Sequence, residues 1–249
     1  RLVPLSHGNV HAAAIAMAQV LALGPGDRCL NVMPLCHIHG ISTLTASIAA
    51  GASVVLSSGF DPQRFFSTVA AFRPTWMTAS PTIYRAIRDV MPSEHGAPTA
   101  HAREAMGSLR FLRSASGAMP LPLLGELDQI LSVPFIEAYG MTEAAPLIAN
   151  NPLPPALRKR GSVGRAVGTQ VAIMDALGRI AGPGESGEIL VKGPSILREY
   201  ADDPAATSAS FVHGYLRTGD LGHLDEDGFL FVTGRIKEII NRGGEKITP

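Results

Sequence analysis

The feature that most constrains this chain is the rhythm of its first half, where short apolar runs alternate with helix-like segments at intervals of roughly twenty residues. Residues 2–5, 28–34, 51–56, 75–78 and 109–112 read as strands, and residues 10–23, 41–50, 62–72, 83–90 and 121–131 read as helices. The punctuation agrees with this reading. Ser6-His7-Gly8-Asn9 carries cap chemistry, and Gly24-Pro25-Gly26 is a strong stop. Asp61 caps a helix with Pro62 in its first turn, Arg73-Pro74 ends it, and Ser80-Pro81-Thr82 opens another. Such alternation predicts a layered α/β domain with a mostly parallel sheet, in which ligands sit beyond the carboxyl ends of the strands. Residues 91–105, rich in Pro, His and Ala, read as a surface connection.

The character changes near Arg158, after the proline-rich break Asn150-Asn151-Pro152-Leu153-Pro154-Pro155. The triplet Arg158-Lys159-Arg160 reads as a solvated loop. Beyond it, short strands separated by glycine turns, among them residues 171–174 and 187–192, predict a smaller antiparallel β-rich subdomain. Asp225-Glu226-Asp227-Gly228 reads as a hairpin turn with solvated carboxylates, its spacing unlike a calcium loop. The expected division is therefore residues 1–158 and 159–234. Basic and acidic residues balance at a formal net charge of zero, which leaves no electrostatic footprint for nucleic acid or an anionic membrane. The weakly polar stretch 41–56 is broken by Ser, Thr and Gly and reads as core rather than a membrane span. Cys29 and Cys36 have no CxxC spacing and no companion ligand set, so both read as buried thiols, with a reducing cytoplasm as the default compartment.

The candidate chemistry centres on Phe135-Ile136-Glu137-Ala138-Tyr139-Gly140-Met141-Thr142-Glu143. An apolar run reads as a buried strand end that gives way to a compact turn. The face of Tyr139 can stack on a base, and Gly140 lets backbone approach a ligand. Thr142 can donate to a phosphate oxygen, and Glu143 is a hard ligand suited to magnesium. The same residues equally describe a strand followed by a helix cap with Thr142 as N-cap. In Tyr215-Leu216-Arg217-Thr218-Gly219-Asp220, the Asp220 carboxylate can accept from vicinal hydroxyls or simply close a turn. Arg235 offers a planar donor fork. His37 and His39 lack a nearby third metal ligand, so they line a pocket or sit in the core.

Taken in order and spacing, Tyr139-Gly140-Met141-Thr142-Glu143, Thr218-Gly219-Asp220 and the stretch from Gly234-Arg235 to Gly243-Gly244-Glu245-Lys246 resemble the signatures of the adenylate-forming superfamily, which includes acyl-CoA synthetases, luciferases and peptide-synthetase adenylation domains. The resemblance covers essentially the whole chain. It implies a parallel-sheet subdomain followed by a distorted-barrel subdomain. It also implies activation of a carboxylic acid by ATP through an acyl-adenylate, and transfer to coenzyme A with release of AMP. By resemblance, Ser116, Gly117 and Ala118 contact adenine through main chain, beside Tyr139, Gly140 and Met141. Thr142 contacts phosphate, Glu143 holds Mg2+, and Asp220 and Arg235 hold the ribose. His37, with His39 and Ser80, borders the acyl pocket and gates the thiol. Gly243 and Gly244 lie along the pantetheine arm, and Lys237 is the hinge to a further small domain, so that residues 235–249 form that hinge and its start. Pro34-Leu35-Cys36-His37-Ile38-His39-Gly40, Asn150-Asn151-Pro152-Leu153-Pro154 and Asn241-Arg242-Gly243-Gly244-Glu245-Lys246-Ile247 resemble oxalyl-CoA synthetases within the superfamily, which implies a small dianionic acid. The family's phosphate loop would stand before Leu2, and its catalytic lysine in the small C-terminal domain. Both ends therefore read as cut from a longer protein, with activity expected of the full-length form rather than of this stretch. Transfer to a carrier-protein phosphopantetheine and a non-catalytic AMP-binding role are the alternatives.

Overall fold

Trp76–Ala79 is the central one of five parallel strands in the main sheet, and all of its residues are buried. In the computed structural model, which describes residues 1–57, 59–94, 97–131, 133–238, 240–242 and 245–247, five strands run parallel. Their order is Ser53–Leu56, Arg28–Asn31, Trp76–Ala79, Phe111–Ser114 and Phe135–Tyr139. Ala149–Asn150 and Arg165–Ala166 extend the sheet antiparallel at one edge. Parallel neighbours need long crossovers, supplied here mainly by the helices Ile38–Ala49, Phe65–Phe72, Pro81–Asp89, Ala100–Met106 and Leu121–Leu131.

Because side chains alternate across a strand, the sheet has two separately packed faces. On one, Cys29, Trp76, Phe111 and Ile136 meet Met17 of helix His7–Val20, Leu21 at its C-cap and Ala46 of helix Ile38–Ala49. Trp76 and Phe111 stack there with centroids 5.6 Å apart. On the other, Leu30, Met77, Leu112 and Phe135 meet Phe65, Phe66, Tyr84, Ile87, Leu123, Leu124 and Leu127. Removing a fully buried aromatic such as Phe111 from a sheet covered on both faces costs about 3–5 kcal/mol.

A second, antiparallel sheet pairs Gln170–Met174, Gly187–Lys192, Tyr215–Leu224 and Phe211–Val212 in that order, and Leu230–Arg235 also pairs with Tyr215–Leu224. The molecule is thus α/β with a smaller all-antiparallel part, as expected. The change of sheet falls between Ala166 and Gln170, later than the composition change near Arg158. Arg165–Ala166 still pairs with Ala149–Asn150 of the first sheet, while Lys159 Nζ reaches Asp225 Oδ2 (2.5 Å) and Asp227 Oδ2 (2.6 Å), tying the connecting segment to the hairpin turn of the second sheet. These groups were expected to be merely solvated. Arg160 likewise pairs with Asp128, and Arg158 donates to the Phe135 carbonyl.

Several expected elements shift. Residues 2–5 form no strand; Val3 and Leu5 pack on the second sheet's core, and the Leu2 carbonyl accepts from the Ala201 amide. Part of the expected surface connection 91–105 is the helix Ala100–Met106, capped by Thr99 and burying Ala102, Ala105 and Met106. The strand expected at 109–112 lies at Phe111–Ser114, and the one expected to end at Ile136 runs on through Tyr139.

Candidate functional site

The bulge in strand Tyr215–Leu224 brings its signature to the main sheet. Leu190 pairs with Arg217, but Glu188 pairs with Leu221, so Thr218, Gly219 and Asp220 share the space opposite Ile189. Bulges twist a strand locally and re-aim a side chain, and Gly219 supplies the positive φ of +75° that this one needs. Asp220 is thereby turned onto Tyr139 at the carboxyl end of the neighbouring sheet's strand. The Tyr139 hydroxyl donates to Asp220 Oδ2 at 2.5 Å, and Arg235 Nε donates to Oδ1 at 2.8 Å. Asp220 is buried while Arg235 faces solvent. Burial, then the adjacent carboxylate, pushes the Tyr139 phenol far above its ordinary pKa, so it stays a donor.

Glu188 holds the bulge in shape. It is buried, its Oε2 accepts from Arg217 Nε (2.9 Å) and Nη2 (2.7 Å), and its Oε1 accepts from the Gly219 amide (3.2 Å). The Thr218 hydroxyl donates to the Ile189 carbonyl and accepts from the Asp220 amide. Glu188 and Arg217 were not anticipated as partners; the sequence shows only a carboxylate inside the expected strand 187–192 and an arginine just before Thr218-Gly219-Asp220.

Beyond Tyr139 the chain enters a short 3-10 turn, Thr142–Ala144, preceded by Met141, which leans on the second core. Thr142 is exposed and is the turn's first residue, not its N-cap; Met141 holds that position without a side-chain bond. Glu143 Oε1 accepts from the Tyr200 hydroxyl at 3.0 Å. Gly140 is explained differently from the expectation. A Cβ there would lie 1.3 Å from the Pro146 carbonyl oxygen, so the backbone it admits is the chain's own.

The two histidines exchange places. His37, expected to line the pocket, is exposed and caps helix Ile38–Ala49, its Nδ1 accepting from the His39 amide at 3.1 Å. His39 is the buried one. Its Nε2 lies 2.8 Å from Thr78 Oγ1 and its Nδ1 2.9 Å from Ser116 Oγ. Arg113, also buried, donates from Nη1 to the same Thr78 hydroxyl (3.2 Å) and from Nε to Asn150 Oδ1 (2.9 Å). Burial first, then the charge of Arg113, pulls His39 down to about 3, so the imidazole is neutral at physiological pH. Burial pulls Arg113 to about 10, which leaves it a cation. Asn31, Thr78 and Arg113 are register partners or neighbours on one face, so this polar row caps the apolar one at the carboxyl end of the sheet. Thr78, Arg113 and Asn150 were not anticipated; a charged residue inside an apolar strand was the signal.

Ser116, Gly117 and Ala118 form the exposed turn after Phe111–Ser114, and Gly117 lies against Pro81, the first residue of the helix that Ser80 caps. The expected acyl-pocket border and the adenine loop are therefore neighbours. Lys237 is exposed in the turn Ile236–Glu238 directly after Arg235. Gly243 and Gly244 lie outside the described residues. Cys36 is exposed, against expectation, because it stands in the turn before the His37 cap, and Cys29 is buried. Among the described residues no group of three or more His, Cys, Asp or Glu could hold a metal, and no helix is long and apolar enough to cross a membrane. A cavity of about 560 Å3 lies away from these clusters, lined by Ser6, Asn9, Lys192, Pro194, Arg198 and Phe211 among others.

The protein is of the α/β class, and its parallel sheet presents a phenol, a buried carboxylate and a guanidinium at the carboxyl edge, where ligands of such sheets sit. The chain belongs to the AMP-binding enzyme family, whose pattern matches residues 1–201. It is 42% identical over 251 residues to a probable CoA ligase, CCL9, of Humulus lupulus, covering 99% of this chain and 46% of that protein. It is 39% identical to the oxalate–CoA ligase of Arabidopsis thaliana, covering 99% and 48%. The Bacillus subtilis o-succinylbenzoate coenzyme A synthetase (MenE), solved in complex with ATP and magnesium ion, superposes with a TM-score of 0.86 at 33% identity, over 99% of this chain and 50% of that one. The chain spans about half the length of the curated relatives it matches.

Proposed function

We propose that the full-length protein activates a small carboxylic acid with ATP as an acyl-adenylate and transfers the acyl group to coenzyme A. The observation that carries this reading is the Tyr139–Asp220–Arg235 cluster, assembled from both sheets at the carboxyl edge of the parallel one. An ionised carboxylate has about four lone-pair sites, so Asp220 can accept ribose hydroxyls while keeping Tyr139 and Arg235. Asp220 and Arg235 would hold the sugar and Tyr139 the adenine side. The main chain of the turn Ser116, Gly117 and Ala118 would border the base, and the Thr142 hydroxyl would donate to phosphate.

A single half-buried carboxylate matches magnesium, which is commonly held by one or two carboxylates together with substrate phosphates and water. Glu143 would be that ligand, kept oriented by Tyr200, and the ion would supply charge neutralisation on the phosphates. The chain's own contribution is positioning and a fixed set of donors at the edge of the sheet. The acid side of the site would be the polar row of His39, Thr78, Arg113 and Ser116. Relatives named for oxalate and o-succinylbenzoate act on acids with a second carboxylate, and that row carries one uncompensated positive charge. A small diacid such as oxalate is therefore the substrate class we favour. The unpaired, exposed thiol of Cys36 suits a reducing compartment such as the cytoplasm.

The test is acid-dependent exchange of labelled pyrophosphate into ATP on the full-length protein, followed by trapping with coenzyme A. Asp220→Asn is expected to raise the KM for ATP by roughly tenfold or more, since it weakens bonds to a charged acceptor. Nucleotide binding without exchange for any acid would overturn the reading, and acyl transfer only to a carrier-protein phosphopantetheine would correct the acceptor.

A further inference from the structure

Arg113 is a buried guanidinium whose two hydrogen bonds end on neutral oxygens, Asn150 Oδ1 and Thr78 Oγ1. Among the described residues, the titratable groups whose charges couple to it are the Tyr84 phenol, which burial keeps protonated, and the neutral His39 imidazole. No carboxylate among the described residues forms an ion pair with it. A cation in such surroundings is expensive to hold without an anion nearby, so its burial calls for an explanation.

The hydrogen bonds around it give one, because their directions are fixed by the donor inventory. Arg113 can only donate, so Thr78 Oγ1 accepts from it. The Thr78 proton must then go to His39 Nε2, the remaining partner of that hydroxyl. With Nε2 an acceptor, the neutral imidazole carries its proton on Nδ1 and donates to Ser116 Oγ. The opposite tautomer would leave the buried Thr78 proton without an acceptor. The relay thus runs one way, from Arg113 through Thr78 and His39 to Ser116. It ends on a hydroxyl whose own proton has no acceptor among the described residues and whose residue is exposed. Ser116 sits in the left-handed region, at φ 69°, where the turn after strand Phe111–Ser114 presents it beyond the carboxyl end of the sheet. Each bond in such a chain polarises the next, so the outer hydroxyl is a stronger donor than an isolated serine.

We propose that Ser116, polarised through His39 and Thr78 by the buried Arg113, reads a second carboxylate on the acid substrate. This rests on the acid-activating reading above and names the substrate class of the same site. Ser116 touches the substrate; His39, Thr78 and Arg113 are positioning residues. A diacid brings the anion that the buried cation lacks, whereas a neutral tail leaves it uncompensated.

The experiment compares matched pairs on the full-length protein by pyrophosphate exchange: oxalate with oxamate, malonate with malonamate, and succinate with succinamate. Each pair differs only in whether the distal group is charged. The unmodified protein is expected to favour the diacid of at least one pair by about tenfold or more in kcat/KM. Ser116→Ala is expected to bring that ratio close to one, mainly through the KM of the diacid. Arg113→Met should do the same, and Arg113→Lys should restore part of the preference. A protein that activates acids but favours no diacid overturns the proposal, as does a ratio unchanged in Ser116→Ala. Equal losses for both members of a pair in Arg113→Met and Ser116→Ala would mark a structural role and overturn it too. Should Arg113→Met not fold, the exposed Ser116 and the unmodified protein still decide. Absence of exchange with every acid removes the acid-activating reading itself, which is a different result from a lost preference.

Discussion

Gly140 and Glu137 stand three residues apart and are constrained by opposite kinds of physics. Gly140 is a steric requirement: any side chain there collides with the Pro146 carbonyl, backbone that cannot swing aside. Gly140→Ala is expected to destabilise the fold by more than about 4 kcal/mol, or to prevent folding, as read by denaturant unfolding. Loss of nucleotide binding with stability unchanged would contradict this account and restore a ligand-facing role. Glu137 is an electrostatic case. Burial, reinforced by Asp128, lifts its carboxyl from an ordinary 4.5 to about 7, while the Gly161 amide and Arg160 pull the other way. A raised carboxyl binds its proton more tightly folded than unfolded. Its contribution is therefore complete below pH 4.5 and is lost as pH rises through about 7. Glu137→Gln keeps an acceptor for Gly161 and cannot ionise. Its melting temperature should match the parent near pH 4 and exceed it increasingly toward pH 8, and a constant offset across that range would refute the assignment.

The elements show which parts of the fold the sequence declares. Strand and helix alternation was legible because a strand covered on both faces is a mostly apolar run, as at Trp76–Ala79 with Thr78 its one polar residue, and because Asp61, Ser80 and Gly24 punctuate it. Helix Ala100–Met106 was missed because its buried face consists of two alanines and one methionine, too little apolar contrast to stand out among Pro and His. At the site, Asp220, Arg235 and Tyr139 were legible as a set, whereas the exchange of His37 and His39 was not. That depends on which imidazole falls at the helix cap, a matter of one turn of backbone. The bulge is the element that makes the set a site. Glu188→Gln should weaken the Arg217 pair and the hold on Gly219, letting Asp220 drift from Tyr139. Nucleotide affinity is then expected to fall about tenfold, beside a loss of stability of about 1.5–3 kcal/mol from the weakened charge-assisted contact. Calorimetric titration with ATP against Glu188→Gln and Glu188→Asp tests it, and unchanged affinity in both would show the bulge to be held by its ladder alone.

Across the whole molecule, the cluster works only if the two sheets keep a fixed relation, and the packing provides for that. Ala144, Ile148 and Ala149, which follow the central motif, are buried in one cluster with Ile173, Ile189, Val191, Leu216 and Leu230 of the antiparallel sheet. Lys159 straps the connection to the Asp225 turn, and one further side chain joins the opposite end. Asn9 Nδ2 donates to the carbonyls of Pro194 and Ile196 at 2.8 and 2.9 Å, while its Oδ1 accepts from the Ser6 amide and hydroxyl in the capping box of helix His7–Val20. The capping box of a helix of the first sheet is in this way completed by the same residue that grips a loop of the second. Two consequences follow together. A shared core cannot be exposed by one sheet alone, so this chain should unfold in a single transition, with calorimetric and van't Hoff enthalpies equal. Asn9→Ala removes the reciprocal half of the capping box, Ser6 remaining the N-cap, and leaves two carbonyls without their donor, for an expected loss of about 2–3 kcal/mol. If the sheets are coupled as described, that loss lowers the one transition as a whole. Were Asn9→Ala instead to split the melt into two, the coupling would reside in Asn9 and not in the shared core.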